Sequence, residues 1–284
     1  MEDNKKTYSV IGLGFVGKQV FDWFKNKKYE VYGYSLDYTK DEEKAFSSDV
    51  VFVCVPTPIN YKTKRYDLSI VESVVKKIKS GSIVVIKSTV TIGTTEKIQK
   101  DNPDKFILFN PEFLSEATCE QDYLFPDRQI IGYTSKSEKY ANEILEVLPD
   151  SPYNVIIPSK EGELIKLINN INGALSVVQT NIYYDVCLKE HLDYQKVKEG
   201  MEASKYVSKY YHEPIHKGKR GFSGHCFIKE IFDFDNYLKR INVDNSLLSS
   251  AIEYNNKLLA SQGLTPQIAE QVGSEEDLKR IRGY

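Results

Sequence analysis

The chain has 284 residues, a length that predicts about two domains. Hydrophobic residues make up 41% and charged residues 27%, and 38 Lys and Arg against 40 Asp and Glu leave a net charge of −2. This balance argues against binding to nucleic acid or anionic lipid through net positive charge, and no apolar run approaches the roughly 18–20 residues of a membrane span. The four cysteines show no paired spacing, which argues against a disulfide framework or a zinc ribbon. Without an apolar signal region at its start, the chain is predicted to be cytoplasmic, with reduced cysteines.

Short β-branched runs alternate with amphipathic segments in the first half. Strands are predicted at 7–11, 30–35, 50–55, 82–87, 106–109, 128–133 and 154–157. Helices are predicted at 16–27, 68–79, 94–100 and 137–148. Apolar strands that alternate with helices indicate an α/β fold, with a doubly wound parallel sheet of Rossmann type covered on both faces. This first domain is expected to span residues 1–158.

The pattern changes after Pro158. From Ser159 to Leu192 apolar residues recur at helical spacing without a proline. They predict one long interdomain helix, followed by further helices to about residue 260. The second domain, 159–260, is therefore expected to be smaller and all-helical. The polar stretch 261–284, which includes Gly273, is predicted to be a tail with a short helix.

A glycine pattern follows the first predicted strand. Gly12, Gly14 and Gly17 form GxGxxG at the point where a strand passes into a helix. The first glycine permits the tight turn, the second lets backbone approach a pyrophosphate, and the third lets helix pack on strand. The helix N-terminus, at Phe15 and Val16, would face the phosphates. The pattern predicts a dinucleotide cofactor.

The residue expected to bind the cofactor's ribose is less regular. An acidic residue usually ends the second strand, about 20 positions beyond the glycines. Ser35 stands at that point, and Asp37, two residues later, is the candidate for the 2′-hydroxyl. Ser35 and Lys40 would instead tolerate a 2′-phosphate. NAD is favoured over NADP because no arginine follows the strand.

Further motifs, in order and spacing from residue 7 to about 260, resemble the UDP-glucose/GDP-mannose dehydrogenase family. These motifs are Val55-Pro56-Thr57-Pro58, Lys87-Ser88-Thr89-Val90-Thr91-Ile92-Gly93, Asn110-Pro111-Glu112-Phe113-Leu114-Ser115-Glu116, Glu163-Leu164-Ile165-Lys166-x3-Asn170 and Gly221-Phe222-Ser223-Gly224-His225-Cys226-Phe227-Ile228-Lys229. The resemblance implies NAD-dependent oxidation of a sugar CH2OH to a carboxylate in two steps, without release of the aldehyde.

The same resemblance implies roles for particular side chains. Cys226 would capture the aldehyde as a thiohemiacetal, which a second hydride transfer turns into a thioester for hydrolysis. Lys166 would stabilise an oxyanion or move a proton, and Asn170 would orient the substrate. Glu112 would activate the hydrolytic water or bind substrate, and Glu116 would lie near the nicotinamide.

The remaining site residues are implied in the same way. Thr89 would hydrogen-bond the cofactor and the catalytic water, and Lys229 would contact the cofactor or a phosphate. Other cofactor-binding residues would be Val55, Pro56, Thr57 and Ser88. Other substrate-binding residues would be Phe113, Leu114, Phe222, Ser223 and Gly224. No metal is expected, because His212 and His216 have no second pair of ligands and Pro214 interrupts a helix between them.

The chain also departs from the family's pattern. Ser223 replaces a glycine and Ile228 a proline in the loop that aims the thiol. Glu230 replaces an aspartate and is one methylene longer, which would slow hydrolysis if that carboxylate takes part.

A larger departure lies at the end of the chain. The family continues into a second Rossmann-like domain that grips the nucleotide, and here the resemblance fades near Asn255. Three explanations remain open: the nucleotide is held by residues such as Lys217, Lys219 and Arg220, a partner chain supplies the grip, or the substrate is smaller.

Two other functions also stay open. A single-step β-hydroxyacid dehydrogenase would need Lys166 and Asn170 but not Cys226, whereas an NAD-binding subunit or regulator would bind cofactor without turnover. The expected partners are a nucleotide-sugar substrate and, by resemblance, a second copy of the chain joined through the long helix. Its apolar stripe, from Leu164 to Ile182, is compatible with such a homodimer. Neither nucleic acid nor a membrane is an expected partner.

Overall fold

The computed structural model describes residues 6–272 and 274–282. The predicted features at residues 1–5, Gly273 and 283–284 lie outside these ranges. The chain forms two compact units. Unit 1 extends to Pro58 and resumes from Tyr66 to Lys166, and unit 2 contains Ile59–Arg65 and the chain from Leu167 onward. The division therefore falls inside the long helix rather than at residue 158, and a short early segment groups with the second unit.

The elements in the first part of the chain follow the predicted alternation. The strands are β1 (Tyr8–Ile11), β2 (Val31–Tyr34), β3 (Val50–Val53), β4 (Ile59–Asn60), β5 (Arg65–Tyr66), β6 (Ile83–Ile86), β7 (Phe106–Phe109), β8 (Gln129–Tyr133) and β9 (Asn154–Pro158). The helices are α1 (Phe15–Asn26), α2 (Glu42–Ser47), α3 (Ser69–Lys77), α4 (Thr94–Asp101), α5 (Cys119–Leu124), α6 (Ala141–Val147) and α7 (Ser159–Lys189). A 3-10 turn at Glu138–Tyr140 occupies the first part of the helix predicted at 137–148.

The main sheet has seven strands in the order β2-β1-β3-β6-β7-β8-β9. This confirms the doubly wound α/β fold, with one departure from a purely parallel sheet: β8 runs antiparallel to β7, pairing Leu108 with Tyr133. A parallel return needs a crossover element that packs on the sheet. The link from β7 to β8 carries only the six-residue α5, which packs on α1, and the chain returns antiparallel.

The connections from β1 define where a ligand can bind. β2 pairs with one edge of β1 and β3 with the other, so the chain reverses direction across the sheet at this point. In open α/β sheets, ligands bind outside the carboxyl ends of the strands at such a switch point. The loops that follow β1, β3, β6 and β7 therefore meet at the edge where a site is expected.

Both faces of the sheet are buried. Successive side chains on a strand point to opposite faces, so Val10, Phe52 and Leu108 pack in one core, whereas Val53 and Ile86 pack in the other. The continuous apolar strands of the sequence are explained by this double burial.

Glu163 ties the start of α7 to the N-terminus of α4. Its carboxylate is fully buried and accepts hydrogen bonds from the N–H groups of Gly93 (2.5 Å) and Thr95 (2.8 Å) and from the Thr95 hydroxyl (2.7 Å). Because the first N–H groups of a helix have no partner within it, this carboxylate caps α4 from outside. Gly93, at φ 90°, adopts the left-handed backbone that this turn requires.

Unit 2 is mainly helical, and it contains short ribbons as well as helices. After α7 come α8 (Tyr194–Glu202), β10 (Ile215–His216), β11 (Lys219–Arg220), α9 (Gly224–Arg240), α10 (Ser246–Ala260), α11 (Pro266–Gln271) and α12 (Glu275–Arg282). The stretch predicted to be a polar tail thus carries two helices, and its Leu264, Ala269 and Val272 are buried. Across the described ranges, every helix is too short or too polar to span a bilayer.

We expect Glu163→Gln to lower the free energy of unfolding by about 1–3 kcal/mol, because the amide nitrogen would face backbone donors that lose an acceptor. Urea titration followed by circular dichroism measures the change. Glu161→Gln, at an exposed position on the same helix, is the matched control and should stay within about 0.5 kcal/mol of the parent. Equal effects of the two substitutions would show that the cap contributes nothing.

Candidate active site

Of the three glycines in the loop after β1, two leave no room for a side chain and the third borders empty space. A Cβ on Gly12 would lie 2.6 Å from the Cys54 carbonyl oxygen, and one on Gly17 would lie 1.8 Å from the Gly12 carbonyl oxygen. Gly12 also has φ 95°. A Cβ on Gly14 would meet nothing within 4 Å. Gly14 therefore borders open space at the point where α1 begins.

The N-terminus of α1 offers backbone donors to that space. Gly14 is the residue before the helix and makes no side-chain cap, and the fully described α1 carries no acidic residue in its first turn. Its first N–H groups and the positive end of the helix dipole therefore suit an anion. Phe15, at the mouth, is 45% exposed. This open, uncapped loop fits the pyrophosphate of a dinucleotide.

The residues that follow β2 form a tight turn. Ser35 and Tyr38 exchange backbone hydrogen bonds of 2.9 and 3.0 Å, and Asp37 is exposed within the turn. The ribose-binding role of Asp37 stays a prediction.

Hydroxyl groups tie the loops that follow β3 and β6 to each other. Thr57 Oγ1 donates to the carbonyl of Thr89 at 2.8 Å, and Ser88 Oγ donates to the carbonyl of Val55 at 2.7 Å. These four residues are buried, whereas Pro56, which lies between Val55 and Thr57, is exposed. A hydroxyl group has one hydrogen to donate. Thr57 and Ser88 donate theirs to backbone carbonyl groups, and these hydrogen bonds fix the shape of the two loops.

A largely buried ion pair lies just past the carboxyl end of β7. Glu112 Oε1 is 2.9 Å from the Nζ of Lys166 on α7, and Glu112 Oε2 accepts the N–H of Leu114 at 2.9 Å. Burial alone would raise the pKa of Glu112, but the Lys166 ammonium, the Leu114 N–H and the charge of Lys87 outweigh it, and the pKa is lowered. Glu112 is therefore ionised at neutral pH. The structure brings together two of the predicted catalytic residues.

Phe113, the next residue of this loop, lies near the pair. The Arg128 guanidinium carbon lies 3.8 Å from the centre of the Phe113 ring, and Lys166 Nζ lies 5.7 Å from that centre. Both cationic groups are therefore close enough to the Phe113 ring for cation–π interactions. Leu114 is half-buried, and Glu116 lies on an exposed turn of the same loop.

Unit 2 contains the remaining predicted catalytic residues. Asn170 follows Lys166 by four residues on α7, so both side chains leave the same side of the helix. Asn170 Nδ2 donates to Glu230 Oε1 at 2.9 Å, and both residues are buried. Glu230, itself a predicted catalytic residue, therefore contacts the amide that is predicted to orient the substrate.

Cys226 lies in the first turn of α9. Of the four cysteines, all within the described ranges, it alone is exposed. A helix N-terminus favours the thiolate form of a cysteine, which is the nucleophile. By contrast, burial raises the pKa of Cys54 to about 12, and that thiol stays protonated. Lys229, one turn further along α9, is half-buried.

Asn255 holds the loop that precedes the cysteine, and sequence reasoning assigned it no role. Its Oδ1 accepts the N–H of Phe222 at 2.7 Å and its Nδ2 donates to the Phe222 carbonyl at 3.1 Å. A Cβ on Gly221 would lie 2.6 Å from that Oδ1. The sequence signal that could have identified Asn255 is its position on the face of α10 that the helical periodicity places towards the core.

A cavity of about 480 Å³ adjoins this loop within unit 2. Its wall includes Phe222 and Ser223 of the loop and the rings of Tyr211 and Phe227. Polar walls come from Lys198, Glu202, Lys209, His212, Glu213 and His216. His212 Nδ1 lies 3.0 Å from Glu202 Oε1. Within the described ranges no group of three or more His, Cys, Asp or Glu residues is placed to hold a metal ion.

Arg220 and Lys219, which were predicted to bind a nucleotide, have other surroundings within unit 2. The Arg220 guanidinium donates to Asn181 Oδ1 at 2.9 Å and to Asp185 Oδ1 at 2.6 Å, and the Lys219 side chain is buried. The Lys219 charge is therefore withdrawn from the surface, whereas the half-buried Arg220 is paired with Asp185.

Comparison with known proteins places these features in one family. Residues 31–148 match the NAD binding domain of the UDP-glucose/GDP-mannose dehydrogenase family, and residues 160–257 match its central domain. The UDP-glucose 6-dehydrogenase of Campylobacter jejuni is 31% identical over 219 residues, which cover 75% of this chain and 54% of that protein. The chain thus spans about half the length of the curated relatives that it matches.

Solved structures share the fold. A UDP-glucose dehydrogenase from Pyrobaculum islandicum superimposes with a TM-score of 0.79 at 23% identity, over 92% of this chain and 72% of that one. The 3-hydroxyisobutyrate dehydrogenase of Mycobacterium tuberculosis reaches 0.71 at 14% identity, over 98% and 99%. At these identities the likeness concerns the fold alone.

The glycine loop precedes the segment matched by the family's first domain, so its role rests on the open, uncapped geometry described above. The matched segment belongs to the same unit and is the family's NAD binding domain, which identifies NAD as the cofactor. Since the two matched domains together cover most of its length, the chain belongs to the UDP-glucose/GDP-mannose dehydrogenase family.

Proposed function

We propose that this chain oxidises the primary alcohol of a nucleotide-linked sugar to a carboxylate in two NAD-dependent steps, with Cys226 holding the substrate carbon between them. The observation that carries the proposal is the exposure of Cys226 at the start of α9, while the other three cysteines are buried or half-buried. A single oxidation to a carbonyl needs no nucleophile. An accessible thiol at a helix N-terminus therefore favours the two-step reaction.

The first step removes a proton and a hydride from the CH2OH group. NAD, when bound, supplies the acceptor for the hydride. The Glu112–Lys166 pair takes the proton of the hydroxyl group, and the Lys166 ammonium stabilises the oxyanion that develops. Asn170 orients the hydroxyl, since its amide is itself fixed by Glu230. The product of this step is an aldehyde.

The second step begins when the Cys226 thiolate adds to the aldehyde carbon. The resulting thiohemiacetal loses a hydride and becomes a thioester, and water then displaces the thiolate. Glu112, ionised at neutral pH, accepts a proton from that water, with Thr89 as a hydrogen-bonding partner. Overall, one CH2OH group and one water give a carboxylate, two hydrides and three protons.

The cavity beside Phe222 and Ser223 is the proposed seat for part of the substrate. Aromatic rings line it together with cationic and anionic side chains, a mixture that suits a nucleotide. The names of the curated relatives make UDP-glucose the first substrate to test.

A homodimer through α7 is also proposed. The structure divides the predicted apolar stripe: Leu167, Ile171 and Val178 are buried within the chain, whereas Ile168 and Ile182 are more than 40% exposed. Further along the helix Tyr183, Val186 and Leu188 are exposed as well. These outward apolar side chains form the surface on which a second copy is proposed to pack.

The wild-type protein is expected to form two NADH per sugar consumed, and Cys226→Ser is expected to abolish carboxylate formation because an alkoxide cannot replace the thiolate as readily. NADH is read by its absorbance, and the acid and any aldehyde are separated by chromatography. Cys119→Ser, at a half-buried position, is the control and should keep the ratio of two.

One NADH per sugar with free aldehyde would rule out the thioester. Full activity of Cys226→Ser on simple hydroxyacids would favour single-step chemistry, and binding of NAD without turnover on any nucleotide sugar would favour the regulator.

Gly14→Ala is expected to weaken NAD binding about tenfold while leaving stability unchanged, because the new methyl group enters the open space at the start of α1. Gly14 has φ −73°, which alanine adopts without strain. Calorimetric titration with NAD gives the dissociation constant. Gly200→Ala, also without close contacts but on α8, should leave the constant unchanged. An undiminished affinity in Gly14→Ala would place the pyrophosphate elsewhere.

A further inference from the structure

Lys87 is a buried lysine that the proposed reaction does not use. It follows β6 directly, and its side chain is 4% exposed. Its ammonium donates to Asn110 Oδ1 at 2.6 Å and lies 3.4 Å from the Asn110 carbonyl oxygen. No carboxylate among the described residues forms an ion pair with it. A buried ammonium without an ion pair is costly, so its presence calls for a physical reason.

Asn110 transmits the position of Lys87 to the candidate site. It is fully buried, and its Nδ2 donates to the Ile130 carbonyl at 2.9 Å and to Gln129 Oε1 at 3.3 Å. Its hydrogen bonds therefore join the carboxyl end of β7 both to Lys87 and to β8. Glu112 lies two residues after Asn110. The backbone that leads to Glu112 is therefore held in place by the hydrogen bonds of Asn110 to Lys87 and to β8.

Lys87 also adds a charge near Glu112. The titratable groups that act on Lys87 are Cys54, Glu112 and Lys166, and the centre of the Tyr123 ring lies 5.9 Å from its ammonium. Burial raises the pKa of Cys54 to about 12 and that of Tyr123 above its usual value, so both are neutral near pH 7. Burial also lowers the pKa of Lys87 to about 8, against the pull of the Glu112 carboxylate. Glu112 is thus the negative charge in this group, with Lys87 and Lys166 as the positive charges.

We propose that Lys87 is a positioning residue for Glu112: through Asn110 it fixes the end of β7, and its buried ammonium adds a second positive charge, beside that of Lys166, that acts on the Glu112 carboxylate. This inference deepens the proposed function, and its kinetic consequence rests on that function. The electrostatic part concerns the protein alone.

Three lysine variants test the electrostatic part without any catalysis. Protein labelled with 13C at glutamate carboxyl groups is titrated by NMR, and the Glu112 signal is assigned by its loss in Glu112→Gln. Lys87→Met and Lys87→Gln should each raise the Glu112 titration midpoint by about 1 pH unit, the size typical of losing a nearby opposite charge. The matched control is Lys105→Met. Lys105 is equally buried but precedes β7 at the opposite end of the sheet, where it binds Asp104 at 3.0 Å.

The glutamine variant separates charge from hydrogen bonding, since it removes the charge but retains an amide donor for Asn110. Thermal unfolding shows whether each variant is folded. If neither Lys87 variant folds, the reciprocal measurement decides: 15N signals of the lysine ammonium groups in Glu112→Gln should show the Lys87 midpoint lowered by a similar amount. An unchanged Glu112 midpoint in folded Lys87→Gln, or an unchanged Lys87 midpoint in Glu112→Gln, would overturn the inference.

Kinetics supplies the second readout. In Lys87→Gln the acid limb of the pH–kcat profile should move upward by about the same 1 pH unit, while KM for NAD stays within about twofold of the wild-type value. A wild-type protein that oxidises no sugar refutes the proposed function but leaves the carboxyl titration as a valid test. An active protein whose acid limb does not move in Lys87→Gln refutes the positioning role alone.

Discussion

The buried pair of Glu112 and Lys166 is the interaction on which the candidate site depends. A carboxylate and an ammonium removed from water are tolerated only when they meet each other and further polar partners. Here the Leu114 N–H completes the shell of the carboxylate. The pair also joins the loop after β7 to the first turns of α7, and Glu163, one turn earlier on α7, joins the same helix to α4. Two charged contacts thereby fix the first turns of α7 within unit 1.

In unit 2, buried amides provide the corresponding constraint. Asn170 on α7 contacts Glu230 on α9, and Asn255 on α10 holds the backbone of Phe222 ahead of Cys226. An amide can donate and accept at once, which suits it to fix a backbone segment without adding charge. Glu230 thus makes a specific contact, which fixes the orientation of the Asn170 amide.

The sequence predicted local and repetitive features better than long-range ones. The seven sheet strands, α1 and the long α7 were predictable because apolar periodicity and the glycine loop are encoded within short segments, and the structure confirms this fold. The antiparallel β8, the grouping of residues 59–65 with unit 2 and the helices after Ser261 depend on contacts between distant segments, which no local pattern reveals. The cap from Glu163 to Thr95 and the amide clamp at Asn255 were missed for the same reason. The catalytic roles assigned through resemblance remain predictions, although the geometry within each unit brings several of these residues together.

The treatment of helix N-termini connects the fold to the proposed chemistry. Several helices receive a side-chain acceptor at their first N–H groups: Glu163 serves α4, Asp67 serves α3, Asp193 serves α8 and Asp244 serves α10. By contrast, α1 begins at Gly14 and α9 at Ser223, and neither of these residues makes a side-chain cap. Uncapped N–H groups attract negative charge. Both helices are proposed to place a negative charge at this end, α1 the pyrophosphate and α9 the Cys226 thiolate, and these charges would interact with N–H groups that a side chain satisfies in other helices.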